Sequence, residues 1–307
     1  MPIQVILDCD PGTDDALAVL LALASPELNV LAVTVAGGNV GLTHTLRNAR
    51  ALVSLTGRDT PVYAGADRPL LGAFVSETGV HGQDGIGGVV LPEGAPPAPG
   101  LAADVIRRIL RDSVEPVTLI GIGPATNLAL ALTTEPALAE RVAQIVLMSG
   151  AWAEGNVTPA AEFNAWSDPE ALAVLLACGR PAVFATLELT AQALVTQAVI
   201  AGWRGLGAGR CLQAACDIQA TVPASRRLGG AGAPLHDPCA VAWLIQPELF
   251  TARPCSARVD LGPGPGRGRT LIDRWNRTGD KLNAVVLETL DAPGFFDLIG
   301  GRLALLP

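Results

Sequence analysis

The stretch Asp8-Cys9-Asp10-Pro11-Gly12-Thr13-Asp14-Asp15 separates two apolar segments, Ile3 to Leu7 and Ala16 to Ala24. The first is short and rich in β-branched residues, which predicts a buried strand. Pro11 and Gly12 demand a sharp turn, and Asp14 to Ala24 reads as a helix whose first turn is acidic. The same alternation continues outward. Val30 to Val35 predicts a strand and Thr43 to Leu55 a helix. Val117 to Ile122 and Ile145 to Met148 predict further buried strands, with a helix from Ala125 to Leu132 between them, and Ala182 to Thr186 predicts another strand. Continuous apolar strands alternating with helices imply an α/β fold, an open, mostly parallel central sheet flanked by helices. Such sheets bind ligands at the carboxyl ends of their strands. Asp8 and Asp10, Gly37 to Asn39, Thr126 and Ser149 all fall at those ends. Leu91 to Gly100 and Leu261 to Arg269 are Pro/Gly-rich loops, the second expected to join late strands. Neither marks a domain boundary, so residues 1–307 are expected to form a single domain.

Half of the 307 residues are hydrophobic and 16% are charged, enough apolar material for a large core and too much for a disordered chain. The net charge of -8, with no basic run, argues against a nucleic-acid partner. The apolar runs are too short to span a bilayer, so no membrane partner is expected. No secretory leader pattern precedes the first strand, and the expected compartment is the cytoplasm. None of the six cysteines forms a C-x-x-C pair, and all six read as reduced structural residues.

Four carboxylates within eight residues repel one another, and each raises its neighbours' pKa. A helix start accounts for Asp14 and Asp15, whose charge complements the helix dipole, but not for Asp8 and Asp10 at the strand end. A divalent cation relieves the repulsion, and Ca²⁺ takes several oxygen ligands of this kind.

This run closely resembles the D-x-D-x-G-x-D-D signature of the inosine-uridine-preferring nucleoside hydrolases. The resemblance extends through Gly37-Gly38-Asn39, Val80-His81-Gly82-Gln83-Asp84-Gly85, Gly123-Pro124-Ala125-Thr126-Asn127, Met148-Ser149-Gly150, Ala161-Glu162-Phe163-Asn164 and His236-Asp237-Pro238. One such motif is weak; the ordered set is specific. The resemblance implies the Rossmann-like fold of that family and calcium-dependent hydrolysis of the N-glycosidic bond of ribonucleosides. It implies Ca²⁺ held by Asp10, Asp15, the backbone carbonyl of Thr126 and Asp237, with the ribose 2′- and 3′-hydroxyls and a water completing the shell. Asp10 then acts as general base on that water, whose pKa the metal lowers. By the same resemblance Asp14 contacts the 2′-hydroxyl, Asp8 supports the site from behind, Asn39 meets a ribose hydroxyl, and Met148 lies against the sugar. Asn156, Glu162 and Asn164 bind ribose hydroxyls, Phe163 lines the pocket, His81 approaches the base from a Gly-rich, mobile lid, and His236 protonates the leaving base. The family commonly forms dimers or tetramers, which makes a homo-oligomer the expectation.

Several of these residues also have plainer explanations. Asn39 suits a turn after two glycines. Asp237 and Pro238 suit an N-cap and first helical position. Ser167 and Glu170 suit a capping box, which would make the preceding loop a mere surface loop. His44 reads as structural or exposed. Asp8-x-Asp10 after a first strand also suits a haloacid-dehalogenase-like, Mg²⁺-dependent phosphatase, but that chemistry needs a lysine, and the only one, Lys281, lies in a late turn. A non-catalytic nucleoside- or ribose-binding protein would keep the sugar groups and dispense with the base and acid that Asp10 and His236 supply. Thr221 to Leu235 has no aromatic residue where some family members place one over the base; Arg226 and Arg227 are its only large polar residues.

Overall fold

Alternate residues along each strand bury their side chains on opposite faces of one sheet, and this period of two sets the layering. The computed structural model describes residues 1–307. Its strands are β1 (Ile3–Cys9), β2 (Leu28–Val35), β3 (Val62–Ala64), β4 (Val117–Gly121), β5 (Val142–Met148), β6 (Ala182–Ala185), β7 (Leu194–Val195), β8 (Ala233–Pro234), β9 (Phe250–Val259), β10 (Thr270–Asp273) and β11 (Ala284–Leu290). Its helices are α1 (Thr13–Ala24), α2 (Leu42–Thr56), α3 (Thr78–His81), α4 (Ala102–Asp112), α5 (Thr126–Thr134), α6 (Phe163–Ser167), α7 (Pro169–Ala177), α8 (Leu187–Thr190), α9 (Gln197–Arg204), α10 (Arg210–Thr221), α11 (Pro238–Ile245) and α12 (Ala292–Leu303). Nine strands form one sheet in the order β10-β9-β11-β6-β5-β4-β1-β2-β3; β7 and β8 pair separately. All neighbours from β3 across to β11 are parallel, and β9 runs antiparallel to both β11 and β10. The expected open, mostly parallel sheet flanked by helices is the architecture found.

Val5, Leu7, Val33, Val35, Val146 and Val183 face one core with α1, α10, α11 and α12. Ile6, Leu119, Ile145, Leu147 and Phe184 face the other, with α4, α5 and α7. Every residue of α1 is buried, because α2, α10, α11 and α12 all pack against it. A helix apolar all round needs such enclosure.

The chain leaves β1 for β2 and β3 on one side, then crosses to β4 on the other. This reversal opens a crevice above the end of β1, the switch point where open α/β sheets bind ligands. β1 runs two residues beyond the expected Leu7, so Asp8 pairs in register with Thr34 of β2 and Gly121 of β4. Residues 91–98 are free of regular structure, and 261–269 joins β9 to β10, both as expected.

The expected capping box at Ser167 and Glu170 is not formed. Pro169 takes the first helical position, which makes Asp168 the cap: its carboxylate accepts from Ala171 N. Glu170 instead pairs with Arg267 through both oxygens, at 2.7 and 2.8 Å.

Phe184, fully buried at the centre of the sheet, sets a stability test. Phe184→Ala is expected to lower unfolding free energy by about 3–5 kcal/mol, measured as a reduced denaturant midpoint with an unchanged slope.

Candidate active site

The Asp10-Pro11-Gly12 turn carries the chain from β1 into α1, and side chains from its own helix and the next strand hold it. Asp15 accepts from Asp10 N (3.1 Å) and Gly12 N (3.0 Å), so it satisfies donors that a helix start leaves open. Asn39, just beyond β2, donates its amide to Asp15 (2.9 Å) and to the carbonyl of Asp10 (3.2 Å), while its backbone N–H reaches Asp10 Oδ2 (2.6 Å). Asn39 is therefore more than a turn residue; its side-chain oxygen is left without a protein partner. Gly38 and Gly123 flank the Asp10 carboxylate so closely that a Cβ on either would overlap it. Asp8 has partners of its own. It accepts from Thr34 Oγ1 (2.6 Å) and Asn127 Nδ2 (2.9 Å), which matches a supporting role behind the site.

Asp237 reaches this loop from the start of α11. Its side chain caps no backbone N–H there, so the plain N-cap explanation fails. Carboxylate oxygens of Asp14, Asp15 and Asp237 instead lie within 4.8 Å of one another, all buried. Asp10 stands beside Asp15; neither Asp10 nor Thr126 is among the side chains that line the cavity described below. The structure thus brings Asp14, expected on the ribose, into the acidic group. Thr126 opens α5, with its hydroxyl donating to Asp168 at 2.6 Å.

No arginine or lysine forms an ion pair with Asp10, Asp14, Asp15 or Asp237. Burial, then the charge of Asp14, raises Asp15 to about 7. Burial first, and neighbouring acids after it, push Asp10 and Asp237 well above the usual carboxylate range. Asp10 Oδ1 is fully buried and has no hydrogen-bond partner. An orphaned carboxylate oxygen among all-oxygen donors fits a hard divalent cation, since buried charges are paired or coordinate metals.

Above the acids lies a cavity of about 330 Å³. Asp14, Asn39, His81, Met148, Asn156, Glu162, Phe163, Asn164, His236 and Asp237 all line it, so ten of the residues singled out from sequence converge there. Glu162 accepts from Gly150 N, Asn164 N and Ala165 N, capping α6 while facing the cavity. Burial raises its pKa, and those backbone donors oppose the shift. Asn164 donates to the carbonyls of Ile122 and Met148, both at 3.0 Å, and so ties the ends of β4 and β5 together. Asn156 accepts from Phe163 N (2.9 Å), which fixes the loop to the start of α6.

The two site histidines are each oriented by a threonine. His236 Nδ1 lies 2.7 Å from Thr190 Oγ1, and burial lowers its pKa. His81 ends α3 and is buried, its Nδ1 accepting from Thr13 N at 3.1 Å. The open N-terminus of α1 supplies the donor that holds His81 against the cavity. His44 is exposed, as expected.

Sequence reasoning missed Gln219, Thr190 and Asp168, each an ordinary helix or cap residue along the chain. It noted Arg227 without a role. Arg227 lines the cavity and grips Glu154 and Gly155, joining the loop before Glu162 to the 221–235 segment. Val222, Pro223, Ala224 and Leu228 give that segment's wall its apolar character. Lys281 is exposed between β10 and β11 and takes no part in the cavity, which removes the cation a phosphatase would need.

The family described as inosine-uridine preferring nucleoside hydrolase matches residues 5–297. The chain is 42% identical to the pyrimidine-specific ribonucleoside hydrolase RihA of Salmonella gallinarum, over 99% of both chains. Among solved structures, a purine-preferring ribonucleoside hydrolase from Gardnerella vaginalis superposes with a TM-score of 0.90 at 32% identity, covering 98% of each chain. The plant nucleoside hydrolase PpNRh1 also superposes at 0.90, with 31% identity over 99% of this chain and 100% of its own.

The acidic group predicts metal-linked stability. At a Ca²⁺ concentration a hundred times the dissociation constant, stabilisation of about 2.7 kcal/mol is expected, read as a rise in melting temperature that a chelator reverses. Asp237→Asn is expected to remove most of the rise; an equal rise in the variant would dissociate Asp237 from the metal.

Proposed function

The chain belongs to the inosine-uridine preferring nucleoside hydrolase family, and from that premise we propose that it hydrolyses the N-glycosidic bond of ribonucleosides in a calcium-dependent reaction, releasing free base and ribose. The observation that carries this reading is the meeting of Asp14, Asp15 and Asp237 at a cavity whose walls hold Glu162, Asn164 and His236. The RihA relatives, at 42% identity, are named pyrimidine-specific, and they support pyrimidine ribonucleosides as the preferred substrates.

Asp10, Asp15, the Thr126 carbonyl and Asp237 would hold the cation, with Asp14 adjacent. When bound, Ca²⁺ supplies Lewis acidity that lowers the pKa of a water and grips the ribose diol. Asp10 takes the proton from the attacking water, a task suited to a carboxylate whose Oδ1 lacks any protein partner. The water oxygen forms a bond to the anomeric carbon as the carbon–nitrogen bond breaks, and that electron pair leaves on the base. His236, held by Thr190, delivers a proton to the departing base. Asp14, Asn39, Asn156, Glu162 and Asn164 hold the sugar hydroxyls, and Met148 and Phe163 close on its apolar faces. The transition state resembles an oxocarbenium ion, which buried carboxylates stabilise.

The same proposal includes one catalytic domain across 1–307, supported by a sheet whose strands span Ile3 to Leu290. It also includes a cytoplasmic homo-oligomer, dimer or tetramer. All six cysteines are free, which suits a reducing compartment. No helix is long and apolar enough to cross a membrane.

Free-base release from uridine, cytidine, inosine and 2′-deoxyuridine, with and without a calcium chelator, tests the reading. Turnover of the ribonucleosides is expected to stop with the chelator, and deoxyuridine to react at least about a hundredfold more slowly, because a lost hydroxyl strands buried partners. Equal rates on uridine and deoxyuridine would refute the diol-gripping site. Asp10→Asn is expected to lower kcat by roughly 10²–10⁴. His236→Ala should slow inosine more than an activated nitrophenyl riboside; equal losses would remove His236 as the acid.

A further inference from the structure

A second cavity, of about 770 Å³, lies between the first part of α2 and residues 67–74. None of the residues that line it lines the cavity above the acids. Arg47, Arg50 and Arg68 face it, with Asp67 as its one acid. Asp67 is spent on its neighbour: Arg68 donates to both of its oxygens, at 2.8 and 2.9 Å, and that pair is close to neutral. The other two cations are not offset in this way. Arg50 is partly buried and donates to backbone carbonyls, of Gly94 at 2.8 Å and of Ala95. It forms no ion pair. Carbonyl oxygens fix a guanidinium in place without cancelling its charge. Arg47 lies three residues earlier, on the same face of the helix. It donates to Asn48 Oδ1 at 3.1 Å, and its one carboxylate partner, Asp84, stands 4.0 Å away. This surplus of positive charge runs against the chain's net charge of -8.

We propose that this cavity binds a phosphate monoester bearing an aromatic group, the chemistry of a nucleoside monophosphate, at a site separate from the one that cleaves the N-ribosyl bond. A phosphate monoester carries nearly two negative charges at neutral pH, which matches two guanidinium groups left without full counter-charge. Guanidinium also presents paired donors to phosphate oxygens, so the match is one of geometry as well as charge. The organic part is assigned from the remaining wall, where Leu42, Leu46, Ala73 and Phe74 are apolar. Phe74 stays 37% exposed, so its ring is open to a flat partner. The volume falls within the range of small-molecule sites. The proposal goes beyond the hydrolysis argued above and stands or falls apart from it.

Titration calorimetry of the calcium-free protein at low ionic strength tests this, with phenyl phosphate and inorganic phosphate as the probes. Calcium is withheld so that no metal at the acidic floor can hold the anion. One phenyl phosphate is expected to bind per chain, about tenfold more tightly than inorganic phosphate, because its ring gains apolar contact with Phe74. R47M and R50M are each expected to weaken both probes about tenfold, the loss of a charge-assisted contact in a partly wetted site. F74A is expected to bring the two affinities together. Binding of neither probe, or binding that both arginine variants leave unchanged, overturns the proposal. Equal wild-type affinities for the two probes overturn the aromatic ester as the ligand. Thermal melting verifies that each variant is folded. Arg50 anchors residues 94 and 95, so R50M is the variant at risk of misfolding. The Arg47 side chain is 53% exposed, and R47M carries the test without it.

Discussion

Four carboxylates with no basic partner, packed where the sheet changes direction, are the constraint around which this molecule is arranged. Burying one unpaired charge costs several kcal/mol, and like charges in a low dielectric add to that cost. Nothing in the local chain relieves the repulsion except hydrogen-bond donors, and those are supplied generously. Asp15 alone receives two backbone N–H groups and the amide of Asn39. Glycine at positions 38 and 123 lets backbone approach Asp10 where any side chain would collide. The arrangement tolerates negative charge without cancelling it, and that leftover charge is what a cation completes.

The surrounding scaffold is stiffened by a few polar side chains that each join distant segments. Asn164 bonds the ends of β4 and β5, Asp168 links α7 to Thr126 and to Leu70 N, and Asn127 connects Asp8 to Ala66 N. Such buried networks are strong only when every member is satisfied. Thr270 adds another from the antiparallel edge: its hydroxyl binds both N and O of Ala151, steadying the turn that follows Met148. The cavity-lining groups Met148, Glu162 and Asn164 therefore sit on a strand end and at a helix start. Catalysis by positioning requires that rigidity, because small displacements of reacting groups are costly.

Much of this was legible along the chain, for identifiable reasons. Five strands, β1, β2, β4, β5 and β6, read from the sequence because parallel, doubly covered strands are continuous apolar runs, and their ends pointed to the crevice; the short β3 and the antiparallel edge carry no such run. Ten predicted site residues line one cavity because the acidic loop, the Glu162 segment and the His236 segment are each local motifs. Long-range partnership was not legible. Gln219 meets Thr13 across 206 positions, and no spacing rule announces that. The Ser167–Glu170 box failed because Pro169 moved the cap to Asp168, and Glu170 found Arg267 nearly a hundred residues away. The partner of His81 was hidden for the same reason: its donor, Thr13 N, becomes available only once α1 starts there.

The cavity divides by origin, and the division bears on how one fold serves different bases. One side of it is made by strand ends and by caps that also hold the backbone, so a substitution there disturbs folding as well as the cavity. The opposite wall comes from α10 and the 221–235 segment, where Val222, Pro223, Ala224 and Leu228 face the cavity with few polar obligations. Loops of this kind change at little cost to the core. Relatives named pyrimidine-specific and purine-preferring both match this chain over nearly their whole length. Variation between such relatives is therefore expected in the wall whose residues carry few bonds to the sheet, and not in the acidic floor, where Asp10, Asp15 and Asn39 hold one another.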